Sequence, residues 1–158
     1  MLATGVIKES NSFMASPLVC VLKGKDRCDG VRLAVDYRYV NSYTVGDAFP
    51  IPDIEDVIQR VGAKRFINTF DCRQGYFQTC VSAKDTWLTA FVRMGRFLEF
   101  VRTPFGLKHA GQTFVRAMHA ILRQIREFTD SYVDDCAVFS DEWCDHLEHS
   151  DKYLSTMR

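Results

Sequence analysis

Ser131-Tyr-Val-Asp-Asp-Cys-Ala-Val-Phe-Ser140 places two adjacent carboxylates inside a run of strand-forming residues. Tyr132-Val133 precedes the pair and Ala137-Val138-Phe139 follows it, so Asp134 and Asp135 fall where two short strands turn. Like charges repel there, and in an extended strand neighbouring side chains point to opposite faces, so one at most meets a given ligand unless the turn re-aims them. A divalent cation relieves such repulsion. A polar hairpin turn is the plainer reading, because 14 Asp in the chain already give about one adjacent pair by chance. The apolar flanks raise the functional reading, and so does a third carboxylate in a similar setting. Asp71 ends the apolar run Arg65-Phe-Ile-Asn-Thr-Phe70, where an α/β active site commonly carries an acid; it fits equally well as the cap of a helical turn from Arg73 to Phe77.

The rest of the chain frames these acids. With 158 residues, 47% of them hydrophobic, it has the size and composition of one folded domain. Net charge is zero, but its distribution is uneven. Seven Lys or Arg stand against one Glu between Arg93 and Arg126, and nine acidic residues without a single Lys or Arg between Glu127 and Asp151. The asymmetry suits a phosphate-attracting surface beside a cation-attracting one, or two solvated faces. Six Cys lack any C-x-x-C pair and read as reduced thiols of an intracellular setting, cytoplasmic or nuclear; Cys136, Cys144, His146 and His149 match no common zinc spacing. No apolar run approaches the ~20 residues of a membrane span, so no membrane partner is expected.

Leu18 to Leu22 and Val31 to Val35 predict a hairpin whose tip carries Lys23 and Lys25, after a polar, turn-rich Gly5 to Ser16. Asp53 caps a predicted helix with Ile54, Val57, Ile58 and Val61 at helical spacing, stopped by Gly62. Trp87 to Val92 and Phe97 to Val101 predict a second hairpin, and Ala110 to Phe128 a long amphipathic helix with Phe114, Ala117, Met118, Ile121, Leu122 and Ile125 on its core stripe. Ser140 is positioned to cap a last helix bearing Trp143, Leu147 and Leu154.

The order of blocks is itself informative. Ala15-Ser-Pro-Leu-Val19, Val35-Asp-Tyr-Arg38 with Asn41, Phe49-Pro-Ile-Pro52, Phe70-Asp-Cys-Arg-Gln-Gly-Tyr-Phe-Gln78, Thr89-Ala-Phe91, Glu99-Phe100 through Thr103-Pro-Phe-Gly-Leu107, Thr113-Phe114 and Tyr132-Val-Asp-Asp135 together resemble the reverse transcriptases of Ty3/gypsy-type long-terminal-repeat retrotransposons. The resemblance implies an α+β, right-hand polymerase, with fingers and an antiparallel palm sheet backed by helices. It divides the chain into a fingers side, about 1–65 and 79–105, and a palm, about 66–78 and 106–158. It implies an RNA-directed DNA polymerase that adds deoxynucleotides to a primer on an RNA or DNA template. Asp71, Asp134 and Asp135 match the catalytic, metal-binding carboxylates, holding two Mg²⁺ ions for which Mn²⁺ can substitute. Arg32 and either Lys23 or Lys25 match the triphosphate grip, Tyr76 the aromatic gate that rejects a 2′-hydroxyl, and Phe105-Gly106 the nucleotide pocket; Tyr132 is expected near the primer terminus.

His109-Ala110-Gly111 stands where the family usually has Asn-Ala-Pro, and Cys72 and Cys136 replace aliphatic neighbours of the acids. The resemblance implies that the thumb is absent from these residues and, with the connection, RNase H, protease and integrase regions of such polyproteins, is expected outside them. A palm cut short exposes sheet edge, so poor solubility is expected. The alternatives are a truncated or decayed remnant that binds nucleic acid at most, and, ranked last, an unrelated two-metal nuclease or cyclase-like palm.

Overall fold

The computed structural model describes residues 1–22 and 31–158, with only the backbone described at 21–22 and 31–33. The chain forms two compact units, one of residues 1–46 and 76–110, the other of residues 47–75 and 111–158.

In the first unit β1 (Ile7–Glu9), β5 (Phe91–Arg93) and β6 (Arg96–Phe100) form an antiparallel sheet with β6 in the middle. β2 (Leu18–Leu22) and β3 (Val31–Val35) pair antiparallel as the sequence predicts, Leu18 opposite Val35. Ile7, Phe91, Leu98 and Phe100 make the core, with Val6, Leu18, Val35 and Phe77 packed on it. The β5–β6 turn is a two-residue Met94-Gly95 loop with both φ positive (49° and 72°), the left-handed geometry that matches strand twist.

The sequence reading missed three features here. β1 lies in the stretch read as turns, because Ile7 is its one buried residue and a single apolar position carries no alternation. α1 (Arg38–Tyr43) gives no helical signal in the sequence, for a like reason: only Val40 is buried. The strand expected from Trp87 is a 3₁₀ turn, Thr86–Thr89, before a shorter β5. Thr89 explains the last. Its hydroxyl accepts the Phe100 N–H at 2.8 Å and lies 2.7 Å from the Thr86 carbonyl oxygen, so a side chain takes over bonding that a strand would make with its backbone.

The second unit is built on the antiparallel sheet β4 (Phe66–Asp71), β8 (Asp135–Ser140) and β7 (Thr129–Tyr132), with β8 central. α5 (Trp143–Thr156) packs on β8 and β4, and α2 (Ile54–Gly62) packs on β7. The Asp53 carboxylate accepts the Glu55 N–H at 2.9 Å, the predicted cap. α2 is held from its far end: Arg60 pairs with Asp130 at 3.2 Å and also donates to the Arg126 carbonyl. Residues 47–65 thus group with this sheet in the second unit. Residues 76–78 and 106–110 group with the first unit, where Phe77 stacks on Phe100 and Lys108 is tied to Asn41.

α4 (Ala110–Leu122) is shorter than expected and ends in a 3₁₀ turn, Arg123–Ile125. Its inner face is Phe114, Val115, Met118 and Leu122, whereas Ile121, predicted to be core, is 43% exposed. Glu142, not Ser140, occupies the N-cap position of α5. The Ser140 hydroxyl instead bridges His149 Nδ1 at 2.7 Å and His146 Nδ1 at 3.2 Å. The buried residues of α5 are accordingly His146 and Tyr153, and Trp143, Leu147 and Leu154 are exposed.

Candidate active site

Strand register brings the acids of the second unit together. β4 and β8 pair from Phe66–Ser140 to Asp71–Asp135, so Asp71 and Asp135 are direct cross-strand neighbours. One step further the Cys72 N–H donates to the Asp134 carbonyl at 3.0 Å, which extends the ladder past the strand ends. Asp134 sits with Val133 in the two-residue turn from β7 to β8, closed by the Tyr132–Asp135 pair. Val133 has φ +56°, a left-handed conformation that a β-branched residue adopts only under constraint. The turn is thus strained at the residue before the two acids.

Asp71 and Asp135 are exposed and Asp134 is half-buried. Six ion pairs, Lys8–Glu99, Arg38–Asp36, Arg60–Asp130, Lys64–Asp141, Arg96–Glu9 and Arg116–Asp47, lie away from the three carboxylates. Under them lie the buried Cys72 and Cys136, with Tyr153 against Cys136. Burial, then the neighbouring Cys136 and the carboxylates of Asp134 and Asp71, push the Cys72 thiol up to about 12. Burial likewise raises Cys136 and Tyr153. The thiols and the phenol under the acidic end are therefore held in their neutral forms. As the side chains stand, no group of three or more His, Cys, Asp or Glu among the described residues is placed to hold a metal ion.

Tyr132 ends β7 and is half-buried, whereas Tyr76, Phe105 and Gly106 belong to the first unit. Tyr76, on the short helix α3 (Gly75–Gln78), meets Phe105 edge-on with ring centroids 4.9 Å apart, and Phe77 meets Phe105 at 5.5 Å. Gly106 has φ +93°, and a Cβ there would stand 3.5 Å from the Val35 carbonyl oxygen. Lys23 and Lys25 lie outside the described residues, as does the side chain of Arg32, whose backbone is in β3.

Two further residues carry geometry that the sequence reading gave no role. Asn41 on α1 holds the Gly106 turn by two hydrogen bonds, and Val133 holds the strained φ. An Asn in a polar stretch and a Val before two acids give no signal of either by residue type alone.

The family model described as reverse transcriptase (RNA-dependent DNA polymerase) matches residues 21–158. The chain is 36% identical over 161 residues to the retrovirus-related Pol polyprotein from transposon gypsy of Drosophila melanogaster, covering 99% of this chain and 16% of that protein. It is 36% identical over 145 residues to the enzymatic polyprotein of Cauliflower mosaic virus, strain Strasbourg, covering 91% of this chain and 21% of that protein. Among solved structures, the foamy viral protease-reverse transcriptase in complex with an RNA/DNA hybrid is similar with a TM-score of 0.88 at 23% identity, over 99% of this chain and 20% of that one. The native Prototype Foamy Virus protease-reverse transcriptase gives 0.84 at 26% identity, over 99% and 20%. The α+β fold of antiparallel sheets backed by helices is that of the reverse transcriptase polymerase. The chain spans about a sixth to a fifth of the length of these curated relatives, and it belongs to the reverse transcriptase family.

Proposed function

We propose that this chain is the catalytic core of an RNA-directed DNA polymerase that adds deoxynucleotides to a primer 3′-hydroxyl on an RNA or DNA template. The observation that carries the reading is the cross-strand pairing of Asp71 with Asp135 and the placement of Asp134 in the adjoining turn.

Clustered hard carboxylate oxygens suit Mg²⁺, or Mn²⁺ in its place. Mg²⁺ is usually held by one or two carboxylates together with substrate phosphates and water, so a closed cage of protein ligands is not required. Asp71 and Asp134 would be the principal ligands and Asp135 would complete the negative field. When bound, two such ions supply the charge that makes the 3′-hydroxyl a better nucleophile and offsets the charge of the leaving pyrophosphate. The reaction forms a bond from the 3′-oxygen to the α-phosphorus and breaks the α–β anhydride. The neutral floor of Cys72, Cys136 and Tyr153 keeps the carboxylates from being answered from below. Tyr76, buttressed by Phe105, is read as the ring against which a 2′-hydroxyl collides. Arg32 with Lys23 or Lys25 is read as the triphosphate grip, because guanidinium and ammonium donors suit phosphate oxygens, and Tyr132 as a primer contact.

The test is primer extension on poly(rA)/oligo(dT) with Mg²⁺, by this chain and its Asp134→Asn variant, each alone and joined to the downstream segments that its relatives carry. Extension lost in the variant is the expected result. Extension that survives Asp134→Asn overturns the reading, and silence of every native form favours a non-catalytic remnant.

A further inference from the structure

The segment Phe105-Gly106-Leu107-Lys108 has no ladder or helix of its own, and one side chain holds both of its ends. Asn41 Nδ2 donates to the Gly106 carbonyl at 2.8 Å, and Asn41 Oδ1 accepts the Lys108 N–H at 2.8 Å. The carboxamide thus acts as a peptide group would, satisfying one acceptor and one donor of the turn. Lys108 Nζ adds a bond to the Thr44 carbonyl at 2.9 Å, just beyond the end of α1. Gly106 completes the seat, since its φ of +93° is one that a side chain rarely adopts and its Cα side faces Val35 and Tyr37. Tyr37 is itself fixed, being 2% exposed with its hydroxyl donating to the Thr89 carbonyl at 3.0 Å.

What this turn positions is Phe105. That ring is 54% exposed, so burial does little to fix it, yet it packs edge-on against both Tyr76 and Phe77. Tyr76 can select against a 2′-hydroxyl only as firmly as its neighbours resist being pushed aside.

We propose that Asn41 is a positioning residue for sugar selection: by clamping Gly106 and Lys108 it holds Phe105 against Tyr76 and sets how far the tyrosine ring can yield to a ribonucleotide. The inference rests on the reading of Tyr76 as the gate. It requires a carboxamide at this length. Aspartate keeps the acceptor for Lys108 but sets a carboxylate against the Gly106 carbonyl, and leucine loses both bonds.

The experiment is single-nucleotide incorporation of a deoxynucleotide and the matching ribonucleotide by the reverse transcriptase carrying this chain, in native, Asn41→Leu, Asn41→Asp and Tyr76→Ala forms. Exchange of the Lys108 amide is measured in parallel. Loss of the clamp should lower deoxy-over-ribo discrimination by on the order of tenfold in both Asn41 variants, the weight of one or two hydrogen bonds, and speed the Lys108 amide exchange. The change should come from better use of the ribonucleotide. A role confined to stability would lower incorporation of both nucleotides alike and leave the ratio unmoved. Native discrimination in both Asn41 variants, with discrimination lost in Tyr76→Ala, overturns the proposal while the gate stands. Native discrimination in Tyr76→Ala overturns the gate itself, and the proposal with it.

Discussion

The two units place their functional side chains by different means. In the second, backbone register does the placing: β4 and β8 are paired along their whole length, and Asp71 and Asp135 stand opposite each other because Phe66 stands opposite Ser140. In the first, side chains hold irregular backbone, as Asn41 holds the Gly106 turn and Thr89 holds the end of β6. Register is a property of a whole sheet and tolerates a change in any one side chain. A clamp depends on one carboxamide or one hydroxyl. Substitutions of the acids in the second unit should therefore remove chemistry without unfolding, and substitutions of clamps in the first should alter selectivity or stability in proportion to the bonds lost.

The largest expected effect is that of Asp71→Asn or Asp134→Asn, which should reduce nucleotide incorporation by on the order of a thousandfold, the scale on which lost electrostatic stabilisation acts. Because the acids stand beside one another as like charges, the same variants should melt at or above the native temperature. Calorimetry showing a large destabilisation would mean that the acids are structural. Tyr76→Ala comes next, with deoxy-over-ribo discrimination reduced by about a hundredfold, as one steric contact can supply. Competitive incorporation assays measure it directly.

Smaller effects separate packing from clamping. A Cβ at Gly75 would lie 2.8 Å from Phe114 Cζ, and that ring is 2% exposed with little room to move. Gly75→Ala should cost about 1–3 kcal/mol in denaturant unfolding, the usual penalty of overpacking. A neutral result would show that the Phe114 ring can shift. In the first unit Glu99 is 5% exposed, accepts from Ser10 at 2.6 Å and pairs with Lys8 at 3.0 Å. Burial raises its carboxyl, but bonds from Ser10, Lys8 and Thr86 together bring it below the ordinary 4.5. A lowered folded value stabilises above the unfolded value and loses that contribution as pH falls through the folded one. Stability should thus be level from neutrality down to about that ordinary carboxylate range and decline below it. Glu99→Gln should cost about 1 kcal/mol at neutral pH and flatten the acid limb. An acid limb identical to the native one would assign the decline to other carboxylates.

The same contrast explains what could be read from the sequence. Strands β2, β3, β4 and β8, the capped helix α2 and the β7–β8 turn were legible because runs of apolar residues bounded by turn formers report them directly. The position of Asp134 and Asp135 followed from that turn. β1 and α1 left no trace, since each buries a single residue, Ile7 and Val40. The Thr86–Thr89 turn and the true cap of α5 give no clear local signal because Thr89 and Ser140 spend their hydroxyls on partners 6 to 11 residues away, Phe100 and the two histidines. Such partners are set by tertiary packing, which local sequence does not encode. Asn41 escaped a role for the same reason, its two bonds spanning 65 and 67 residues.

The most direct test of the acidic end is a Mn²⁺ titration followed by electron paramagnetic resonance of the free ion, on the native chain and on Asp71→Asn and Asp134→Asn, with a deoxynucleotide present. The account predicts saturable binding by the native chain that weakens in each variant while both remain folded. Equal binding by all three would contradict it, because Asp71 and Asp134 would then not be where the cations go.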